Sequence, residues 1–166
     1  LWLKVNAEKP EIDKIRIAAS VIRRGGVVAF PTETVYGLGA DALNPDAVMK
    51  VFKAKNRPAD DPLIVHVAIK EDVYRLARSV PKAAERLMAQ FWPGPLTLIL
   101  KRSKVVPDIT VVGLDTIAIR MPSNKVALAL ISESMTPIAA PSANLAGKPS
   151  PTTAKHVIDD LAGRTT

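Results

Sequence analysis

The chain contains no cysteine, which excludes disulfides, cysteine-based zinc sites and a cysteine nucleophile. Aromatic residues make up only 4% of it, so the core must be aliphatic, and few rings are left for stacking on nucleic-acid bases. With two histidines, neither H-E-x-x-H nor a paired-histidine metal spacing occurs, and no metal-ligand set is expected. No G-x-x-x-x-G-K-[ST] phosphate loop exists, and no serine stands in a G-x-S-x-G setting. No apolar run approaches a membrane span, and the first residues lack a secretion-signal pattern. The expected location is therefore the cytoplasm, with no membrane partner. Gly37-x-Gly39-x-x-Ala42, with Asp60 further on, mimics a dinucleotide fingerprint. Its context is wrong: the first glycine does not follow its strand directly, Asn44-Pro45 restarts the helix count, and Asp60 precedes a strand instead of ending one.

What is present is a 166-residue chain, 48% hydrophobic, with 23 Lys+Arg against 16 Asp+Glu and a net charge of +7. One compact domain is the default, and the charge suits an anionic partner such as a nucleotide or RNA. The basic residues are scattered, as in an ordinary solvated surface, so charge alone does not choose.

The stretch Phe30-Pro31-Thr32-Glu33-Thr34-Val35-Tyr36-Gly37-Leu38-Gly39 is the densest in chemistry. It follows an apolar run, residues 27–30, that predicts a buried strand. Pro31 then breaks the strand, and polar groups crowd the exit, where α/β proteins commonly place their ligands. Residues 1–5 alternate enough to predict a first strand. Pro10 starts a helix with Ile12, Ile15, Ala19 and Ile22 on one face, ended by Gly25-Gly26. Asn44-Pro45 caps a second helix, with Lys55 and Arg57 beyond its end. Residues 63–67 form a strand holding His66, and 71–78 and 81–90 form helices. A stiff turn, Trp92-Pro93-Gly94-Pro95, aims a strand over 96–100, which is apolar on both faces and so expected at the sheet centre. Arg120 ends another strand, where burial demands an anion or carboxylate partner. Asn124 caps a helix to about residue 133, residues 137–140 form a short strand, and Thr152 or Thr153 caps a last helix with Val157, Ile158 and Leu161 inward. Strands alternate with helices, and the polar groups fall into four loop regions, 31–39, 55–61, 115–120 and 141–150. The pattern predicts one ligand cleft lined by separate loops of an α/β sheet.

Five separated motifs are together specific: Pro31-Thr32-Glu33-Thr34-Val35-Tyr36-Gly37-Leu38, Lys55-Asn56-Arg57-Pro58, Pro62-Leu63-Ile64-Val65-His66, Trp92-Pro93-Gly94-Pro95-Leu96-Thr97 and Ala140-Pro141-Ser142-Ala143-Asn144. In this order they resemble the signature of the YrdC-like family of L-threonylcarbamoyladenylate synthases, over essentially the whole chain. The resemblance implies an α/β fold with an open twisted mixed sheet and flanking helices around a basic concave cavity. It implies that L-threonine, bicarbonate (or CO2) and ATP give L-threonylcarbamoyladenylate and diphosphate. That reaction is the first step of threonylcarbamoylation of tRNA adenosine 37. ATP is then a substrate accompanied by Mg2+, and tRNA is met indirectly or weakly, through downstream threonylcarbamoyl-transfer machinery. The resemblance assigns threonine to Thr34, His66, Arg120 and the backbone near Ala140. It assigns ATP to Lys55, Arg57, Asp61, Thr116, Ser142, Asn144 and Ser150, with Lys55, Arg57 and Arg120 as the catalytic cations. Asp61 departs from the family, which often has asparagine there. By family standards the chain ends early, as a single catalytic domain truncated at its C-terminus, of the archaeal-type two-domain form. An RNA-binding module without catalysis is the alternative from another class. The related domain of the carbamoyltransferases that mature hydrogenases is a third.

Overall fold

The computed structural model describes every residue except Arg57, Asp60, Ala146, Thr165 and Thr166. Six strands, β1 (Val28–Phe30), β2 (Gly37–Asp41), β3 (Ile64–His66), β4 (Thr97–Lys101), β5 (Thr116–Arg120) and β6 (Ile138–Ala139), form one open sheet in the order β1-β2-β6-β3-β5-β4. Only β3 and β5 are parallel; every other neighbouring pair is antiparallel. The helices are α1 (Ile12–Arg23), α2 (Pro45–Ala54), α3 (Glu71–Leu76), α4 (Lys82–Phe91), α5 (Lys125–Ser134) and α6 (Ala154–Leu161), with a 3-10 turn at Asp108–Val111.

The local causes are plain in the capping. The Asn44 side chain accepts from the backbone N–H groups of Asp46 and Ala47, with Pro45 opening α2. Asn124 does the same for Val126 and Ala127 at α5, and the Thr153 hydroxyl caps α6 through His156 N. Each cap satisfies donors that the first helical turn leaves unpaired.

The two sheet faces are covered unequally. On one, Leu38, Ala40, Val65, Leu98, Leu100, Ile117, Ile119 and Ala139 are buried under apolar residues of α2, α3, α4 and α6. On the other, Ile22 of α1 and Leu130 and Ile131 of α5 pack on Phe30, Ile138 and Ala140. That second layer reaches only across β1, β2 and β6. Beyond it the register sets Ile64, Ala118 and Ile99 side by side on β3, β5 and β4. Ile99 is 69% exposed, so this half of the face is open. Gly39 is required between the side chains of the flanking strands β1 and β6: a Cβ there would lie 2.5 Å from Ile138 Cγ2 and 2.7 Å from Phe30 Cε1.

Five expectations are corrected. Ile12, expected on one apolar face with Ile15, Ala19 and Ile22, is 47% exposed. Residues 1–5 form no strand; Leu1 and Trp2 are exposed and no strand pairs with them. The stretch 31–39 is not all loop, because Gly37–Gly39 belong to β2. The apolar strand expected at the sheet centre is β4, at its edge. Its two-sided apolarity reflects Ile99 on the uncovered face, where alternation carries no information about position. Ile158 is partly exposed instead of inward.

Candidate active site

The parallel pairing of β3 and β5 places His66 directly beside Arg120. Both are the last residues of their strands. Ligand sites of open α/β sheets lie beyond such carboxyl ends. Ile138 of β6 stands on the other side of His66, and Thr97 of β4 on the other side of Arg120. The pair therefore sits where the layer of α1 and α5 stops and the open half of the face begins.

Arg120 is buried and held on three sides. Its Nε donates to Gly94 O at 3.4 Å and its Nη1 to Thr34 Oγ1 at 3.3 Å. Its Nη2 meets the Glu33 carboxylate in an ion pair, and that nitrogen is fully buried with no hydrogen-bond partner. Burial lowers the proton affinity of the guanidinium, which nonetheless stays charged at neutral pH. Glu33 is held from its other oxygen by the backbone N–H and the hydroxyl of Ser123, just ahead of α5. The 31–36 stretch is thereby pinned over the ends of β3 and β5.

His66 is 4% exposed. Its Nδ1 lies 3.1 Å from Ile64 O and 3.3 Å from Ile138 O. Both neighbours are carbonyl acceptors, so Nδ1 carries the proton and Nε2 presents a lone pair. Desolvation holds its pKa down at about 4, against the pull of the two carbonyls. The ring meets Phe30 edge-on with centroids 6.0 Å apart. At neutral pH His66 is thus an uncharged acceptor beside a charged arginine.

A second group gathers at the 141–150 loop. The loop is stitched to the 31–39 stretch by Leu38 N to Pro141 O at 2.9 Å, Ala143 N to Tyr36 O at 2.7 Å and Tyr36 N to Pro151 O at 2.8 Å. Lys55, buried at the end of α2, donates from Nζ to Ser142 O. The Ser142 hydroxyl donates to Asn144 Oδ1, and Asn144 Nδ2 donates to Leu145 O at 2.7 Å and Lys148 O at 2.9 Å. Asn144 thereby fixes the loop, and Lys55 brings a cation against it.

The predicted residues separate accordingly. Thr34 and Arg120 are bonded, His66 is adjacent, and Lys55, Ser142 and Asn144 form one connected group. Ala140 spends its N–H on Ile64 O at 2.9 Å, leaving its carbonyl for any other contact. Ser150 is exposed, next to Pro151, which holds the Tyr36 amide. Asp61 is exposed in the bend before β3. Thr116 starts β5 while Arg120 ends it, which puts them about 13 Å apart along the strand. Arg57 lies outside the described residues. Among those described, no group of three or more His, Asp or Glu side chains could hold a metal ion, and no helix is long and apolar enough to cross a membrane. Sequence reasoning gave no role to Glu33, Ser123 or the Gly94 carbonyl. The signal for the first was present: a strand-end arginine requires a carboxylate, and Glu33 stands among the hydroxyls of the 31–36 stretch.

Comparison with known proteins follows the same lines. The sequence pattern of the Sua5/YciO/YrdC family, described as telomere recombination, matches residues 20–166. A threonylcarbamoyl-AMP synthase of Pyrococcus abyssi is 59% identical over 95% of this chain and 46% of its own length. One of Bacillus subtilis is 58% identical over 91% of this chain and 44% of its own. The chain therefore spans about half the length of these relatives. The crystal structure of P. abyssi Sua5 complexed with L-threonine superposes with a TM-score of 0.96 at 56% identity, over 99% of this chain and 49% of that one. E. coli YciO superposes with a TM-score of 0.86 at 26% identity, over 97% and 79%.

Proposed function

Because the chain belongs to the Sua5/YciO/YrdC family, we propose that it is the catalytic domain of a cytoplasmic L-threonylcarbamoyladenylate synthase. The reaction joins L-threonine, bicarbonate and ATP into L-threonylcarbamoyladenylate, diphosphate and water. Its product serves the modification of tRNA adenosine 37 by separate transfer machinery. The observation that carries this reading is the juxtaposition of Arg120, Thr34 and neutral His66 at the ends of the two parallel strands. The loop held by Lys55, Ser142 and Asn144 is stitched to the same 31–39 stretch.

The chemistry asks for alignment and charge, not a covalent nucleophile. Bicarbonate takes up a proton and loses water to give CO2, and the threonine amine attacks CO2, releases a proton to solvent and becomes a carbamate. A carbamate oxygen then attacks the α-phosphorus of ATP, and the bond to diphosphate breaks. Arg120, through the outward side of Nη1, takes the threonine carboxylate. His66 Nε2, a lone-pair acceptor, accepts a hydrogen bond from the threonine amine or hydroxyl. Ala140 contributes its carbonyl. The roles assigned to Lys55 and, by its place in the sequence, Arg57 are to offset the charge that grows on the phosphates as diphosphate leaves. Ser142, Asn144, Ser150, Thr116 and Asp61 line the nucleotide. Mg2+ enters with the nucleotide, as part of the substrate.

The test is threonine-dependent diphosphate release from ATP and bicarbonate, on the protein and on Arg120→Ala. Release that stops without threonine and collapses in the variant is expected. Equal release from both proteins would remove Arg120 from the site. No threonine dependence at all would sink the activity, and steeply salt-dependent tRNA binding without ATP turnover would favour an RNA-binding module.

A further inference from the structure

Arg120 is not a vacant anion site. A buried arginine with no counter-charge would attract any anion that reached it, including the polyphosphate of a nucleotide bound nearby. Here a carboxylate from the same chain already faces it. Glu33 meets Nη2 through one oxygen, while Ser123 holds the other with its backbone N–H and its hydroxyl. The Arg120 side chain is 9% exposed and that of Glu33 20%, so neither charge is dissolved in bulk water. With Gly94 O on Nε and Glu33 on Nη2, the outward donor left to the guanidinium is at Nη1, beside Thr34. The wall of the subsite thus carries one positive charge, one negative charge, a hydroxyl and an uncharged imidazole acceptor.

We propose that Glu33 is a specificity-determining residue that makes the Arg120 subsite electrically neutral and so restricts it to zwitterions. The proposal rests on the amino-acid reading of the site given above. A simple anion placed on Nη1 is attracted by the guanidinium and repelled by the Glu33 carboxylate on the neighbouring Nη2, so its net attraction is reduced. An amino acid brings its own cation, so its ammonium faces Glu33 while its carboxylate faces Arg120. Discrimination arises from repulsion of the wrong ligand as much as from contact with the right one. Glu33 therefore acts on selectivity, as a fixed charge beside the ligand, and takes no proton and forms no bond in the reaction.

The experiment compares binding of L-threonine with that of 3-hydroxybutyrate, which has the same skeleton, hydroxyl and carboxylate but no amine. Calorimetric titration of the protein gives the ratio of the two affinities, and the same ratio is measured in Glu33→Gln. The expected result is a marked preference for threonine that narrows by at least about tenfold in Glu33→Gln, chiefly through tighter binding of 3-hydroxybutyrate. An unchanged ratio, or equal weakening of both ligands, overturns the proposal and leaves Glu33 a merely structural strut. Glu33→Asp, which keeps the charge, should hold the preference within about threefold of the unsubstituted protein. Loss of preference in Glu33→Asp overturns the proposal, and that variant decides the matter if Glu33→Gln fails to fold. A protein that binds no threonine sinks the amino-acid reading itself, whereas threonine binding with an unmoved ratio sinks only the role of Glu33.

Discussion

Acid should destabilise this protein through His66, and the size of the effect follows from its burial. The imidazole pKa is held at about 4 against an ordinary 6.5. Between those values the unfolded chain binds a proton that the folded chain refuses, so stability is intact above pH 6.5 and is lost progressively as pH falls toward 4. The full loss is about 3 kcal/mol, from roughly 1.4 kcal/mol per decade of proton affinity. Between pH 7 and pH 5 the same linkage gives about 2 kcal/mol. With a urea dependence near 2 kcal/mol per molar, the unfolding midpoint should drop by about 1 M over that interval. Other groups titrate in the same window, so the measurement is a difference. His66→Asn keeps a donor near the Nδ1 position, facing Ile64 O and Ile138 O, and cannot charge. The variant is expected to be less stable at pH 7 but to lose about 2 kcal/mol less than the unsubstituted protein on going to pH 5. If both proteins lose the same amount, His66 is not the desolvated neutral base described here. Its tautomer would then have to be reassigned, and with it the acceptor at Nε2.

Gly39→Ala should cost about 1–3 kcal/mol in denaturant unfolding, because the new methyl is driven into Ile138 and Phe30. Unaltered stability would mean that the Ile138 and Phe30 side chains can give way to the methyl. Asn44→Ala removes the cap that accepts from Asp46 and Ala47 and should lower stability by about 1 kcal/mol, whereas Asn44→Asp should leave it nearly unchanged. Asn144→Ala breaks the bonds to Leu145 O and Lys148 O and should weaken ATP binding by about tenfold with threonine binding unchanged. Equal loss for both ligands would show that the 141–150 loop supports the amino-acid subsite as well.

Local signals in the sequence transferred well because they are local. Asn44 and Asn124 cap helices as their side chains and positions dictate. Of the apolar stripe Ile12, Ile15, Ala19 and Ile22 on α1, the last three are buried, while Ile12 at its first position is exposed. What failed was whatever depends on neighbours. Residues 1–5 alternate like a strand, yet no strand edge receives them. The strand holding Ile99 has a central composition and an edge position, because an open sheet face leaves apolar residues uncovered. The site divides in the same way. A strand-end arginine and its need for a carboxylate could be read directly. That the carboxylate is Glu33, some ninety residues earlier in the chain, depends on the pairing of β3 with β5 and on the turn at Ser123. No periodicity contains that pairing.

The unequal layering explains why chemistry collects at one line across the sheet. If α1 and α5 covered the whole face, a charged arginine at the end of β5 would be sealed in an apolar core at a cost its single ion pair could not offset. If neither helix were present, His66 would be hydrated and would charge near neutral pH. At the boundary both conditions relax. Phe30 and Ile138, from the covered half, dry the imidazole. The open half, marked by exposed Ile99 beside Ala118, leaves Nη1 of Arg120 reachable. A neutral acceptor and a fixed cation on adjacent parallel strands therefore require a layer that stops between β6 and β5. Extending that layer with a large apolar residue at Ala118, on the open side of β5, should block ligand access to Arg120 while leaving the fold intact. Ala118→Leu that still binds threonine with unreduced affinity would place the ligand's approach somewhere other than along the open half of the sheet.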